Sequence, residues 1–362
     1  MNRTILHLSL IPGIGPAVIL KIARALPYER FEELYRWSVQ SFMYRAGVSE
    51  QSSEAIVQGL LDDKVLIQEL RLIEKYHINV VTFDEQTYPA LLHATYLPPS
   101  VLYWQGESLD ILEHAVAMVG SRKASHYGQR AIESFVPELI AAGWTLVSGG
   151  ALGADTMAHK ATLLAGGKTV AVIGSGLLCP YPRSNKKLFE TIIERGGIVM
   201  SPFPLTMDAL PGNFPARNRI ISGLSLATVV IQAAEKSGAL ITALFALEQG
   251  RDVCALPGPF DDPLSAGCHA LLHEGAHVIT SAESILKVLG SDLYRAPVMG
   301  VVAPEQVIIK DPLVEACKTP QTFDDLCSLL GYDEVQLQER LVNLQLEGAI
   351  DQDIMGRWYS HT

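Results

Sequence analysis

The residues best suited to chemistry in this chain are cations set beside glycines. "GSRKASHYG" opens with Gly120, Ser121, Arg122 and Lys123, and "VSGGALGAD" presents Ser148, Gly149, Gly150 and Ala151 ahead of Asp155. "PYPRSNKKL" carries Arg183, Asn185, Lys186 and Lys187, "FPARNRIISG" sets Asn218 between Arg217 and Arg219, and "KSGALITAL" supplies Ser237 and Gly238. A guanidinium can fork onto phosphate oxygens with two parallel hydrogen bonds. Glycine-opened amides at a helix N-terminus also favour an anion. The chemistry these residues point to is capture of phosphate, on a nucleotide or a nucleic acid.

Patterns for bond cleavage are missing. The sequence has no GxSxG elbow, no HExxH and no Walker A motif, so a serine nucleophile, a zinc hydrolase and a P-loop ATPase lack support. Asp155 and His159 stand four residues apart, either as catalytic groups or as a helix-start residue and a packed histidine. Cys268, His269, His273 and His277 lie close together, but no CxxC pair completes a ligand set and the rest of the segment is apolar, so neither a metal nor a cofactor is expected. The five cysteines are scattered and odd in number, which suits reduced thiols.

The elements that must hold these loops are legible from period. Short apolar runs begin with "INVVTF" and "VLYWQG" and continue through "AVAMVG", "TLVSGG", "TVAVIG", "GIVMSP", "ATVVIQAA", "DVCALPG" and "AHVITS". From Ala115 on, amphipathic stretches of helix length separate them, the pattern of a mostly parallel sheet with helices on both faces. The expected fold class is α/β, an extended Rossmann-like sheet over 76–290. In such sheets the loops at the strands' carboxyl ends bind ligands, so the cationic and glycine-rich loops should converge on one edge. The cluster at Arg217 to Arg219 is expected in a loop just before a short helix. Tyr127 and Phe214 are the nearest aromatic residues, as stacking platforms or as core.

Residues 1–75 read as helical. "LSLIPGIGPAVILKIARAL" fits a small SAM- or helix-hairpin-helix-like domain whose glycine turn either grips a phosphate or only joins two helices. Prolines and weak periodicity mark a linker over 291–312. Beyond it, 313–362 reads as three helices and a hairpin, a winged-helix-like domain.

The 362-residue chain carries a net charge of −11, which argues against a globally basic nucleic-acid binder. The charge is uneven: Ala115 to Pro259 holds 13 Lys and Arg against 9 Asp and Glu, and the remainder holds 15 against 30. The middle third alone is basic. Pro12, Gly13, Gly15 and Pro16 break the apolar N-terminus, and no run of about 18 apolar residues occurs, so a cytoplasmic protein without membrane attachment is expected.

The ordered succession "GSRKASHYG", "VSGGALGADTMAHKATL", "VAVIGSGLLCPYPRSNKKL", "FPARNRIISGLS", "KSGALITALFALEQGRDVCALPGP" and "GCHALLHEGA" closely resembles the DprA/Smf family of DNA-processing proteins. The match spans roughly 78 to 290. The resemblance implies a non-enzymatic protein that binds single-stranded DNA, protects it during natural transformation and loads the RecA recombinase on it, and that forms a homodimer through the Rossmann-like core. It implies a DNA pocket built from Arg122, the Ser148–Ala151 turn, one of Arg183, Lys186 and Lys187, and the Arg217–Arg219 cluster. A local cationic groove with aromatic rings is also what single strands require. The rival reading is a nucleotide phosphoribohydrolase on a related fold, marked by a PGGxGTxxE loop. Here the corresponding turn places Leu244 where that glutamate would stand.

Overall fold

The computed structural model describes residues 1–290, 312–319, 321–333, 336–338, 340, 341, 344, 350–352 and 357–360. The chain divides into two compact units, 1–295 and 296–362.

The first unit begins with helices α1 (Arg3–Leu10), α2 (Pro16–Ala25), α3 (Val39–Ala46), α4 (Glu50–Leu61) and α5 (Lys64–Lys75). Strands β1 (Asn79–Thr82) and β2 (Val101–Gly106) follow, with α6 (Ala90–His93) between them. Strand and helix then alternate as β3 (Ala115–Val119), α7 (His126–Ala141), β4 (Thr145–Ser148), α8 (Ala154–Leu164), β5 (Thr169–Val172), α9 (Lys186–Glu194) and β6 (Ile198–Ser201). The series continues with α10 (Asn213–Gly223), β7 (Ala227–Val230), α11 (Gly238–Glu248), β8 (Asp252–Ala255), α12 (Ala266–His273), β9 (His277–Val278) and α13 (Ala282–Leu289).

These strands form one nine-stranded sheet in the order β1-β2-β6-β5-β4-β3-β7-β8-β9. Pairing is parallel from β6 to β9, while β2 runs antiparallel to both β6 and β1. Side chains alternate between two apolar layers, as a pleated strand requires. On β3, Ala115, Ala117 and Val119 join one layer while Val116 and Met118 join the other. The chain winds outward from β3 through β4 and β5 to β6, then returns to β7 on β3's other side. That reversal opens a crevice at the carboxyl ends of β3 and β7.

The sequence expectation for Arg217 to Arg219 needs correction. They lie inside α10, not in a loop ahead of it. Pro215 sits in the helix's first turn, where its missing N–H costs nothing, and the following residues continue the helix. A second feature was not expected: Ile5, Ile19 and Ile56 of the N-terminal helices share one apolar cluster with Leu102, Val172 and Ile198 of the sheet. The α1–α2 connection turns at Gly13, φ +81°, and α2 starts with Pro16 at its first position. Among the described residues no helix is long and apolar enough to cross a membrane.

The second unit contains α14 (Pro312–Ala316), α15 (Phe323–Leu330) and an antiparallel pair, β10 (Ile350–Gln352) with β11 (Trp358–Ser360). Thr322 and Asp325 cap α15 reciprocally, and Leu313, Leu326, Leu341 and Ile350 close a separate core. The expected linker, apart from Pro312, lies outside the described residues, as do parts of the third expected helix and residues 353–356 of the hairpin.

Candidate nucleic-acid interface

The turn from β3 into α7 is tightly fixed. Ser121 N–H donates to the Gln232 carbonyl at 2.7 Å, and Ser121 Oγ accepts from Lys123 N–H at 3.1 Å. Gly120 is needed because a Cβ there would stand 2.8 Å from Ala154 Cβ. Ser121 is thereby buried, whereas Arg122 and Lys123 are exposed. The Arg122 guanidinium lies 5.5 Å from the centre of the Phe214 ring, which α10 presents from its first turn. Phe214 also meets Arg217 at 5.9 Å and the Tyr181 ring at 5.9 Å, so one ring collects two cations and a second aromatic.

Beneath this group the glycine turn is already occupied. Ala151 N–H donates to Asp155 Oδ2 at 3.2 Å, and Ser148 Oγ donates to the Met118 carbonyl at 2.6 Å. Asp155 in turn lies 3.9 Å from Arg217 Nη1, with both side chains buried. Burial raises the Asp155 pKa and the Arg217 charge opposes the shift; burial lowers that of Arg217. Gly149 packs directly on the Arg217 guanidinium, leaving no space for a Cβ. A Cβ at Gly153, φ +76°, would strike the Ser121 and Arg122 carbonyls, so the two loops touch. The amide that the sequence offered to a phosphate thus serves an internal carboxylate. Arg217 is a buried counter-ion rather than a surface clamp.

His159 sits in the same interior. Thr169 Oγ1 donates to the Leu146 carbonyl at 2.8 Å, so it accepts from His159 Nδ1–H at 2.7 Å. Nε2 is left as a buried lone pair without a partner. Burial, reinforced by Arg217, lowers the His159 pKa to about 3, which keeps the ring neutral. Of the two readings of Asp155 and His159, the packed one describes their contacts.

The cations after β5 separate by burial. Asn185 is buried, its amide donating to the Gly150 carbonyl at 2.9 Å and to Thr156 Oγ1 at 2.7 Å. It ties this loop to the glycine turn. Arg183, Lys186 and Lys187 are exposed. Arg183 and Lys186 line a cavity of about 870 Å³ together with Tyr181 and Phe189. Lys187 is not among the lining residues, and Lys186 also has Glu190 within 3.9 Å. Arg183 and Lys186 therefore share a cavity with Tyr181, whose ring meets the Phe214 ring that Arg122 covers.

The remaining expected residues belong to a different contact. Asn218 Nδ2 donates to the Gly238 carbonyl at 3.2 Å, Ser237 Oγ caps α11 by accepting from Ala239 N–H at 3.3 Å, and Arg219 lies 5.4 Å from the Phe245 ring centre. These join α10 to α11. Tyr127 is structural, its hydroxyl donating to the Pro257 carbonyl at 2.5 Å. His269 Nε2 meets the Gly258 carbonyl at 3.1 Å and His277 meets Asp252 at 3.1 Å. No metal-holding group of His, Cys, Asp and Glu occurs among the described residues. Sequence reasoning missed Tyr181 and Phe189. Their signal was position, on either side of "RSNKK" at a strand's carboxyl end.

Taken together, the fold and this edge define an extended Rossmann-like protein with a cationic, aromatic-lined crevice at its switch point. A family model described as DNA recombination-mediator protein A matches residues 79–290, and the chain belongs to that family, DprA/Smf. It is 39% identical over 287 residues to Protein Smf of Escherichia coli strain K12, covering 77% of this chain and 76% of that one. Among solved structures it is similar to DNA processing protein A of Streptococcus pneumoniae, with TM-score 0.69, 35% identity and coverage of 79% of this chain and 97% of that one. DNA processing protein A of Helicobacter pylori, described for its unique single-stranded DNA binding mode, gives TM-score 0.53 and 28% identity over 59% of this chain and 95% of that one.

Proposed function

We propose that this protein binds single-stranded DNA at the crevice around Phe214 and delivers it to the RecA recombinase during natural transformation. The observation that carries the reading is the exposed Arg122 guanidinium stacked over Phe214, with Arg183 and Lys186 at the neighbouring cavity. Exposed cations track the phosphates, and rings accept bases whatever their sequence. Family membership and the strand-binding relative from Helicobacter pylori support the same reading.

The direct test is binding of a labelled single-stranded oligonucleotide and its duplex. Wild type should prefer the single strand. Arg122→Ala should bind it roughly tenfold to a hundredfold more weakly, the value of losing a charge-assisted phosphate contact. Equal affinity for both forms of DNA would remove the proposal. RecA delivery is tested separately by the lag of RecA filament assembly on a single strand; an unshortened lag sinks that part. No free base should be released from nucleoside monophosphates, since exposed Leu244 replaces the glutamate such chemistry would use.

A homodimer through the sheet's far edge is part of the same proposal. Ile241, Leu244 and Leu247 repeat at three-residue spacing along α11, all exposed, and Val278 is exposed on the edge strand β9. Apolar rows of this kind favour burial against a second copy.

A further inference from the structure

Glu69, on α5, is a buried carboxylate outside the cationic group, and its hydrogen bond comes from a backbone amide rather than a cation. Leu205 N–H donates to Glu69 Oε1 at 2.8 Å. The buried Tyr103 hydroxyl, which makes no hydrogen bond, faces the same carboxylate and Ser9. Burying a carboxylate is costly unless its hydrogen bonds compensate, so this single backbone contact carries an unusual share of the site's order.

Leu205 belongs to the 202–212 segment that joins β6 to α10. That segment is tied to the loop after β5 along its length. Leu178 N–H donates to the Leu205 carbonyl at 2.9 Å, Gly176 N–H to the Met207 carbonyl at 2.8 Å, and Asn213 Nδ2 to the Gly174 carbonyl at 3.1 Å. Gly176 allows the approach, since a Cβ there would overlap the Pro204 and Leu205 carbonyls. The segment then delivers Phe214, whose ring stands 3.0 Å from where a Gly174 Cβ would be. One run of hydrogen bonds thus leads from an N-terminal helix to the ring under Arg122.

We propose that Glu69 is a positioning residue for the crevice: by anchoring Leu205 it fixes the 202–212 segment and holds Phe214 under Arg122, so that this one contact from α5 sets the affinity for single strands. The affinity half rests on the strand-binding reading above, whereas the anchoring half does not.

Both halves are read on the full chain with Glu69→Leu, Glu69→Gln and Ile56→Ala. Leucine removes the acceptor, leaving Leu205 N–H unpaired beside an apolar side chain of similar size; Glu69→Ala serves if it fails to fold. Glutamine keeps an oxygen for Leu205 N–H. Ile56, buried on α4, weakens the helical part without touching the anchor. Hydrogen exchange over 174–178 and 202–213 should quicken roughly tenfold in Glu69→Leu, and single-strand affinity should fall by a similar factor. Glu69→Gln should restore both to within about threefold, and Ile56→Ala should change neither. Unchanged exchange in Glu69→Leu, or an equal effect from Ile56→Ala, overturns the anchor. Faster exchange with unaltered affinity overturns the link to binding. A wild type that binds no single strand removes the affinity half through the function reading, while the exchange pattern still reports on the anchor.

Discussion

Removing the carboxylate from the Asp155–Arg217 pair is the sharpest structural perturbation of this site. The two charges are 3.9 Å apart and both side chains are buried. At an effective dielectric of about 20 their attraction is about 4 kcal/mol, close to the roughly 3–5 kcal/mol observed when one member of a buried pair is deleted. Asp155→Asn should therefore cost about 4 kcal/mol, because Arg217 would remain charged and enclosed, with its Nε already lacking a partner. Removing both charges with Asp155→Asn and Arg217→Met should cost less than the two single changes added together, a coupling of about 2–3 kcal/mol. Urea unfolding followed by tryptophan fluorescence measures this, since Trp104 and Trp144 report on the sheet. A loss below about 1 kcal/mol in Asp155→Asn, or additive single changes, would refute the view that Arg217 is held as a buried counter-ion.

Other outcomes follow from the same geometry. The His159 pKa is depressed from 6.5 to about 3 in the folded protein, so stability is fully present above 6.5 and falls as the unfolded chain takes up the proton below it. Its share of the slope is about 1.4 kcal/mol per pH unit, so urea midpoints at pH 7.5 and 5 should show a smaller loss in His159→Gln than in wild type, the remainder including buried His7, whose pKa burial also lowers; parallel curves contradict it. Phe214→Ala should weaken single-strand binding by about 1–3 kcal/mol while leaving its salt dependence intact, and a changed salt slope would mean the ring acts by placing cations rather than by stacking. Leu247→Asp should convert a dimer to a monomer in sedimentation, and a wild type that is already monomeric removes the proposed edge.

Much of the framework was legible because the sheet advertises itself. Each apolar run from "INVVTF" to "AHVITS" coincides with a strand, and the alternation that fills two layers on β3 is written in "AVAMV". The cationic loops could be placed on one edge by topology alone. What residue type could not convey was burial. Arg217 and Arg219 look equivalent in "ARNRI", but two residues of helix turn them by about 200°. One faces Asp155 and the other Phe245. Asp155 lies 62 positions before Arg217, and no local pattern predicts that a carboxylate will fill the glycine turn first. Asn185 looked like a ligand for the same reason and proved to be a strut between loops. The N-terminal helices read as a separate domain because their period is self-contained, while the apolar cluster they share with the sheet depends on contacts distant in sequence.

The central claim is that exposed cations around Phe214 hold the phosphates of a single strand. A salt titration of oligonucleotide affinity, for wild type and Arg122→Ala, tests it most directly. With Arg122, Lys123, Arg183 and Lys186 engaged, log affinity against log salt should have a slope of about −3, at roughly −0.7 per phosphate. Arg122→Ala should flatten that slope by about 0.7 and weaken binding at every salt concentration. An unchanged slope and affinity in Arg122→Ala would contradict the account.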